Sequence, residues 1–292
     1  MYYTSHIKSE RTHVNPQIKK VLYYIETHLD DDFELEYLSK IAGYSTFHFC
    51  RIFKITIGES VLSYATRLKL ERAAREMNKK TKSVIEIAFD AGYKTPTGFL
   101  KAFKLQFGTT PTNYREGSYI HYNKYKDIQM NEPEIILREE VEVVFARELG
   151  DYKESSQIAW GRLREQLISL GDEYTICSST KNITEAFGIC HDDPKVTDES
   201  NIRYEAALSY NKDKMDVLKK SGFESKNVSG GKYAKVDFIG VSKGVESWYG
   251  LYAWIEKSGF TFRNEPPFEK YLNGNTETDM EKFHVEIYVP IM

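Results

Sequence analysis

Apolar residues recur at helical spacing through residues 15–117, and two of these stretches are copies of one another. Ala42-Gly43-Tyr44 returns as Ala91-Gly92-Tyr93, and after one inserted residue the agreement continues fifty positions apart. The matching positions are Ser45, Phe49, Arg51, Phe53-Lys54, Gly58 and Tyr64 in the first copy and Thr95, Phe99, Lys101, Phe103-Lys104, Gly108 and Tyr114 in the second. In each copy a helix stops at a glycine and a hydroxyl residue caps the next helix. The pattern predicts two helix-turn-helix units.

The second helix of each unit separates an apolar stripe from an outward face. The stripe contains Phe49, Phe53 and Ile57 in the first unit and Phe99, Phe103 and Phe107 in the second, so these side chains should be core. The outward positions are Thr46, Phe47, Cys50, Arg51 and Lys54 in the first unit and Pro96, Thr97, Leu100, Lys101 and Lys104 in the second. Such a face suits a DNA major groove, because arginine pairs with guanine acceptors and lysine reaches phosphate. We therefore expect these ten residues to contact double-stranded DNA, with Arg51 and Lys101 as the leading contacts.

A longer helical pattern from Ser60 to Lys79 joins the two units and sets the distance between their second helices. Its polar face carries Arg67, Lys69, Arg72 and Arg75, which either contact phosphate or form an ordinary charged surface. A helical solenoid is the alternative interpretation of the repeat, but solenoids need three or more similar units. Only two are present, so a DNA-binding domain is favoured.

A different pattern begins at Glu134, where strand-like runs alternate with amphipathic helices. Ala146 precedes Trp160 by 14 residues, and Ala234 precedes Trp248 by the same interval. Later strand-like runs also correspond, as in Tyr204-Glu205-Ala206-Ala207 and Val285-Glu286-Ile287-Tyr288. A strand-helix-strand-strand unit therefore occurs twice. It predicts an α+β domain whose helices cover one sheet face and whose cleft lies near the pseudo-symmetry axis.

These patterns divide the 292 residues into two domains. An all-α double helix-turn-helix domain is predicted for residues 15–117, after a loose arm at residues 1–14. The α+β domain is predicted for residues 133–292, after a linker at residues 118–132.

Charge differs between the two parts of the chain. Residues 1–120 carry 18 Lys and Arg against 13 Asp and Glu, a net charge of +5. Residues 121–292 carry 22 against 30, a net charge of −8. The cationic part suits a polyanion, since phosphate neutralisation supplies much of the affinity for nucleic acid. The acidic part should lie away from DNA.

Other classes of function find little support in the sequence. The three cysteines form no CxxC pair, so we expect reduced thiols and a cytoplasmic protein. No apolar run approaches the roughly 20 residues of a membrane span, and neither a signal peptide nor a membrane partner is expected. Cys190-His191-Asp192-Asp193 groups possible metal ligands, but no second group lies at ligand spacing, so a loop is favoured over a metal site. No catalytic residue and no cofactor is assigned, because GxSxG, the P-loop and GxGxxG are absent.

The second copy of the repeat resembles the signature of AraC/XylS-type transcription regulators. The residues that carry this resemblance are Ala91-Gly92-Tyr93, Phe99, Phe103-Lys104, Phe107-Gly108, Thr110-Pro111 and Tyr114-Arg115. The resemblance implies two helix-turn-helix units joined by a long helix, with recognition helices that enter successive major grooves about 34 Å apart. It also implies RNA polymerase as a partner.

The carboxyl-terminal half resembles the GyrI-like effector-binding domain of bacterial multidrug regulators. The residues that carry this resemblance are Gly231-Lys232-Tyr233, Trp248, Leu251, Trp254, Gly259, Phe268-Glu269-Lys270-Tyr271 and Val285-Glu286-Ile287-Tyr288-Val289-Pro290. It implies an aromatic-walled pocket with a buried glutamate that accepts amphipathic, often cationic, small molecules. The expected pocket residues are Glu286, Glu205, Trp160, Tyr204, Trp248 and Tyr271, with Glu286 as the pocket glutamate. Alternatively, Glu286 points outward from a surface strand and the aromatic residues are ordinary core. For the function of the domain, the alternatives are a hydrolase and a protein-interaction module.

Overall fold

The computed structural model describes residues 15–79, 81–116, 130–170, 183–273 and 279–292. The chain forms two compact units, Met1–Ser118 and Tyr119–Met292. The predicted arm at residues 1–14 and most of the predicted linker lie outside the described residues. Within the described ranges, no helix is both long enough and apolar enough to cross a membrane.

The first unit is helical. Its helices are α1 (Pro16–Thr27), α2 (Leu35–Ala42), α3 (Thr46–Ile57), α4 (Val61–Lys79), α5 (Val84–Asp90) and α6 (Pro96–Phe107). Residues 111–116 begin a further helical segment. The pairs α2–α3 and α5–α6 are the two helix-turn-helix units, and α4 joins them. The predicted all-α helix-turn-helix architecture is confirmed.

The two turns are built as the repeat predicts. Gly43 ends α2 with a φ of 68°, and Gly92 follows α5 with a φ of 80°, where a residue with a Cβ is strained. The Ser45 and Thr95 side chains then accept backbone N–H groups from the first turns of α3 and α6. The turn and the cap together determine where each second helix begins.

Basic residues of α4 form ion pairs inside this unit. Arg67 is buried, and its guanidinium donates to Glu59 at 2.8 Å and to the fully buried Glu71 at 3.1 Å. The Arg72 guanidinium donates to the Asp30 carboxylate, beyond the end of α1, at 2.6 Å. Neither of the roles considered for Arg67, a phosphate contact or an ordinary surface charge, is correct. Its charge is needed by a carboxylate within the fold.

The second unit is an α+β structure. Its strands are β1 (Glu134–Arg138), β2 (Val141–Leu149), β3 (Ile183–Cys190), β4 (Arg203–Tyr210), β5 (Ser225–Val228), β6 (Gly231–Ile239), β7 (Phe268–Tyr271) and β8 (His284–Pro290). Its helices are α7 (Tyr152–Ser169), α8 (Lys212–Lys220) and α9 (Gly244–Lys257). In the described residues these strands form one antiparallel sheet in the order β1-β6-β8-β7-β3-β4-β2-β5. The predicted α+β class is confirmed.

The duplicated strand-helix-strand-strand unit stays a prediction. The strand order is compatible with it, because β4 lies between β2 and β3 just as β8 lies between β6 and β7. The two triplets meet where β3 pairs with β7, and we call this pair the seam. The seam is where a site shared by the two halves of the sheet can form.

Side chains alternate along the strands and give the sheet two faces. On one face, Ala206 and Leu208 of β4 pack with α7 and α8, and Val285 and Ile287 of β8 pack with α9. We call this the helix face. The opposite face, which we call the far face, holds a separate apolar core of Val143, Phe187, Ile189, Ala207, Val228, Tyr233, Phe268 and Tyr288. Of two consecutive residues in a strand, one therefore points to the helix face and the other to the far face.

Candidate functional site

The outward faces of α3 and α6 carry the ten residues that the sequence predicts for DNA contact. The exposed members are Phe47, Arg51, Lys54, Thr97, Leu100, Lys101 and Lys104. The half-buried members are Thr46, Cys50 and Pro96. By contrast, Phe49, Phe53, Phe99 and Phe103 of the opposite stripe are fully buried, and Ile57 and Phe107 at its ends are half-buried. The structure therefore makes both faces accessible, and their contact with DNA stays a prediction.

Contacts within the unit distinguish the members of the α3 face. The Arg51 guanidinium carbon lies 5.5 Å from the centroid of the Phe47 ring, a cation–π distance. The Thr46 hydroxyl lies 3.2 Å from the Ser39 hydroxyl in α2, and Cys50 packs against the core. Thr46 and Cys50 are thus partly engaged in the fold, whereas Phe47 and Arg51 form an exposed pair.

Two exposed apolar residues extend these faces and were missed from the sequence. Ile55 is 81% exposed and Leu105 is 89% exposed. They lie four residues after Arg51 and Lys101, so each shares a helix side with the central basic residue of its unit. The same fifty-residue interval separates them. That interval, together with the i, i+4 spacing, was the signal that could have identified them.

On the helix face of the second unit, the four predicted aromatic pocket residues come together at the seam. Trp160 Nε1 of α7 donates to the Tyr204 hydroxyl of β4 at 3.0 Å. The Tyr204 and Tyr271 hydroxyl oxygens lie 3.1 Å apart, and the Tyr271 hydroxyl donates to Glu269 Oε2 at 2.8 Å. Trp248 Nε1 of α9 donates to Glu269 Oε1 at 2.8 Å. A continuous chain of hydrogen bonds therefore joins α7 to α9 across the sheet, and we call it the seam network.

A glycine makes room for this network. Gly188 of β3 pairs with Glu269 of β7 in the sheet. A Cβ added at Gly188 would lie 2.5 Å from the hydroxyl oxygens of both Tyr204 and Tyr271. The two hydroxyls can therefore meet over β3 only because this residue has no side chain.

Glu269 is the carboxylate of the seam network, and its two hydrogen-bond donors are both neutral. Burial raises the pKa of Glu269, and the hydrogen bonds from Trp248 and Tyr271 oppose that rise. Across the described residues, no lysine, arginine or histidine forms an ion pair with it. The sequence contained a signal for this residue, since Glu269 and Tyr271 are two apart in a strand and so share a face.

The two glutamates predicted from the sequence do not share the aromatic cleft. Glu205 follows Tyr204 directly in β4 and therefore points to the far face, where it is fully buried. Arg147 donates to Glu205 at 2.7 Å, and Lys226 is also paired with it. His191 Nε2 lies 2.9 Å from Glu205. Burial opposes ionisation, but the contacts with His191, Lys226 and Arg147 hold the pKa of Glu205 well below its usual range.

Glu286 also lies on the far face. It accepts from the Tyr288 hydroxyl at 2.7 Å and from Lys235 Nζ at 3.2 Å. Burial would raise its pKa, but these two partners lower it. The expectation that Glu286 and Glu205 line one cleft with the four aromatic residues is therefore wrong, because strand alternation separates them.

The side chains of the possible metal ligands Cys190, His191 and Asp192 also point to different places. Cys190 packs on the helix face, His191 reaches Glu205 on the far face, and Asp192 accepts from Arg203 at 2.6 and 2.9 Å. These side chains therefore serve three separate local environments.

Two parts of the chain match described families. Residues 131–292 match the GyrI-like small molecule binding domain, and residues 38–117 match a helix-turn-helix domain.

Similar proteins match about a third of the chain. The Transposon Tn10 TetD protein of Escherichia coli is 36% identical over 98 residues, which cover 34% of this chain and 71% of that protein. The transcriptional regulator Rob of Salmonella typhimurium is 32% identical over 101 residues, which cover 35% of each chain. The match thus spans about a third of the length of Rob.

A solved structure, the EcmrR C-terminal domain, is 17% identical and covers 55% of this chain and 97% of that one, with a TM-score of 0.42. At that score the similarity supports no inference about function. Inference about function rests instead on the two family matches, which extend over residues 38–117 and 131–292. The chain belongs to the GyrI-like small-molecule-binding family and is an AraC-type DNA-binding transcription regulator in which that domain follows the helix-turn-helix domain.

Proposed function

We propose that the chain is a sensor that reads DNA with α3 and α6 and binds an amphipathic organic cation at Glu269. The observation that carries the ligand assignment is the hydrogen bonding of Glu269. Its partners are an indole N–H and a phenol O–H, both neutral, among aromatic rings. A ligand can therefore supply the positive charge that the surrounding protein does not.

Comparison of the three glutamates supports this choice. Arg147 and Lys226 already compensate Glu205, and Lys235 already pairs with Glu286. A cationic ligand would have to displace a resident basic side chain from either one. Desolvation of an uncompensated carboxylate is unfavourable, so the arrival of a cation at Glu269 recovers free energy.

The aromatic residues favour a cation with an apolar body. Trp160 and Tyr271 pack edge to face with ring centroids 5.7 Å apart, and Trp248 stacks on Tyr252 at 6.2 Å. Aromatic faces attract cations and bury apolar surface at the same time. An organic cation satisfies both properties better than a small inorganic ion.

The ligand assignment is tested by titrating the protein with tetraphenylphosphonium, an apolar cation of permanent charge, and following tryptophan fluorescence. Glu269→Gln should weaken binding by about 30-fold or more, since removal of one partner from a buried charge pair costs about 2 kcal/mol or more. Glu286→Gln is the matched control and should bind as the wild type does. Equal affinity in Glu269→Gln and the wild type would reject the site.

The DNA assignment rests on the exposed pair of central basic residues, Arg51 in α3 and Lys101 in α6. Arg51→Ala should weaken binding to sequences selected from a random pool more than binding to unselected DNA, by about 1–3 kcal/mol if Arg51 reads a base pair. Equal loss on both kinds of DNA would assign Arg51 to phosphate instead.

A hydrolase at the same site is the second candidate function. The raised pKa of Glu269 and its contact with the Tyr271 hydroxyl are suited to general acid–base chemistry. Turnover of a small ester or other electrophile by the wild type, lost in Glu269→Gln, would support it. The absence of turnover under conditions where tetraphenylphosphonium binds would favour the sensor.

Regulation by the ligand and contact with RNA polymerase complete the proposal. The presence of a DNA-binding domain and a small-molecule-binding domain in one chain supports both, and a DNA target supports a cytoplasmic site of action. A pull-down of RNA polymerase with the DNA-bound protein, compared with DNA alone, tests that partner.

A further inference from the structure

The direction of the hydrogen bonds in the seam network has a consequence at Glu269. An indole N–H can donate but cannot accept. Trp160 therefore donates to the Tyr204 oxygen at one end of the network. At the other end Tyr271 donates its only hydroxyl proton to Glu269. The Tyr204 hydroxyl must then donate to the Tyr271 oxygen, so every bond between Trp160 and Glu269 points toward the carboxylate.

Reversal of this chain is costly in the wild type. If Glu269 donated a proton to the Tyr271 oxygen, Tyr271 would donate to Tyr204. The Tyr204 hydroxyl hydrogen would then lack an acceptor, because its partners in the described residues are Trp160 Nε1 and Tyr271. Tyr204 is buried, so an unpaired hydroxyl there is unfavourable.

Removal of the Trp160 N–H makes the two directions comparable. Without the indole, the forward direction leaves the Tyr204 oxygen without a donor, whereas the reversed direction gives it the Tyr271 hydroxyl. Each direction then leaves one group of Tyr204 unpaired. Trp160 is thus the group that favours one polarity over the other, although it makes no hydrogen bond to Glu269 itself.

We infer that Trp160 is a positioning residue that acts through Tyr204 and Tyr271 to hold Glu269 in its ionised form, in which it accepts the Tyr271 hydroxyl hydrogen and offers a negative charge to a cationic ligand. The inference rests on the proposed ligand site and specifies how it is prepared. The donor and the carboxylate come from opposite sides of the seam. Trp160 belongs to α7, which packs on β4 beside β3, whereas Glu269 belongs to β7. Through the seam network, Trp160 in the first half of the domain therefore influences the ionisation of Glu269 in the second half.

Other titratable groups near Glu269 act differently. Cys190, Tyr204 and Tyr271 face the carboxylate from β3, β4 and β7. Burial raises the pKa of all three, so each remains neutral at ordinary pH. Burial also raises the pKa of Glu269, and its ionisation is therefore the step that changes the charge of the site.

The test is the pH dependence of tetraphenylphosphonium affinity in three tryptophan variants. In the wild type, affinity should fall as the pH falls through the pKa of Glu269. Trp160→Phe should move that midpoint upward by up to one unit, which weakens binding up to about tenfold below both midpoints and leaves it unchanged above them. Trp248→Phe removes a hydrogen bond donated directly to Glu269 and should raise the midpoint at least as far. Trp254→Phe is the control, because Trp254 stacks on Phe260 away from the network, and its midpoint should not move.

Any one of three results would overturn the inference. An unchanged midpoint in Trp160→Phe, or an equal loss of affinity at every pH, would assign Trp160 to packing alone. Tyr204→Phe provides an independent route, since it breaks the same relay and should move the midpoint in the same direction. If it does not, the relay does not reach Glu269.

Failure of the proposed function gives a different result. If tetraphenylphosphonium does not bind the wild type, the ligand site is rejected. The polarity of the network is then measured in the ligand-free protein from the carboxyl infrared band of Glu269. A higher titration midpoint in Trp160→Phe than in Trp254→Phe supports the inference, and equal midpoints refute it.

Discussion

Gly188→Ala is the most direct perturbation of the seam. The added methyl carbon would lie 2.5 Å from the Tyr204 and Tyr271 hydroxyl oxygens, whereas ordinary contacts begin near 3.4 Å. Each hydroxyl must therefore move by about 1 Å, and the backbone of β3 cannot yield without disturbing its pairing with β4 and β7. The displacement breaks the hydrogen bonds that connect Trp160 to Glu269.

The magnitude follows from two contributions. Overpacking of a well-packed interior costs about 1–3 kcal/mol. Each hydrogen bond lost contributes about 1 kcal/mol more. We expect Gly188→Ala to lower the free energy of unfolding by about 3 kcal/mol, which moves the urea midpoint down by roughly 1–2 M.

Gly161→Ala is the matched control. Gly161 lies in α7, and a Cβ there meets nothing within 4 Å. Alanine is favoured over glycine inside a helix by about 0.5–1 kcal/mol, so this variant should be slightly more stable than the wild type. The same substitution is therefore expected to act in opposite directions at two sites 27 residues apart.

Urea unfolding followed by tryptophan fluorescence measures both variants. All three tryptophans, Trp160, Trp248 and Trp254, belong to the α+β unit, so the signal reports that unit alone. Gly188→Ala should also weaken tetraphenylphosphonium binding. Wild-type stability and affinity in Gly188→Ala would show that the two tyrosine hydroxyls do not meet over β3, and the seam network would be refuted.

Three further predictions concern other parts of the chain. If Ile55 and Leu105 contact thymine methyl groups, replacement of thymine by uracil in selected DNA should weaken binding by the wild type. The same replacement should cause no further loss of affinity in Ile55→Ala or Leu105→Ala. Losses that add up would place these residues outside the groove. Arg67→Ala should destabilise the helical unit by about 3 kcal/mol in a circular-dichroism melt, because Glu71 keeps a buried charge without its Arg67 partner, and a change under 1 kcal/mol would contradict the ion pair. Because burial raises the pKa of Glu269, its ionisation removes stability as the pH rises from the unfolded-state value through the folded-state pKa. The free energy of unfolding of Glu269→Gln, relative to that of the wild type, should therefore be higher at pH 8 than at pH 4. The same difference in free energy at both pH values would contradict a raised pKa of Glu269.

Much of the helical unit could be predicted because its pattern is local. Helix ends depend on the turn glycine, the cap and the apolar stripe, and all of these occur in both copies of the repeat. The role of Arg67 could not be predicted in this way. Its sequence position indicates a polar face, but Glu59 and Glu71 approach it only after α4 has packed.

The proposed ligand site could be predicted from the sequence only in part. The four aromatic residues were predicted correctly as neighbours, although their ligand contact stays a prediction. The error over the glutamates was avoidable in part, since adjacent residues such as Tyr204 and Glu205 cannot share a face of one strand. The pairing of β3 with β7 was not avoidable, because contacts between distant strands depend on the whole sheet. That pairing brings Gly188 beside Glu269, where the ligand site is proposed.

The most direct test of the account measures the affinity of the full-length protein for a selected DNA sequence with and without saturating tetraphenylphosphonium. The wild type and Glu286→Gln should respond to the cation with the same change in DNA affinity, and Glu269→Gln should not respond at cation concentrations that saturate the wild type. A response in Glu269→Gln equal to that of the wild type would contradict the claim that Glu269 senses the ligand.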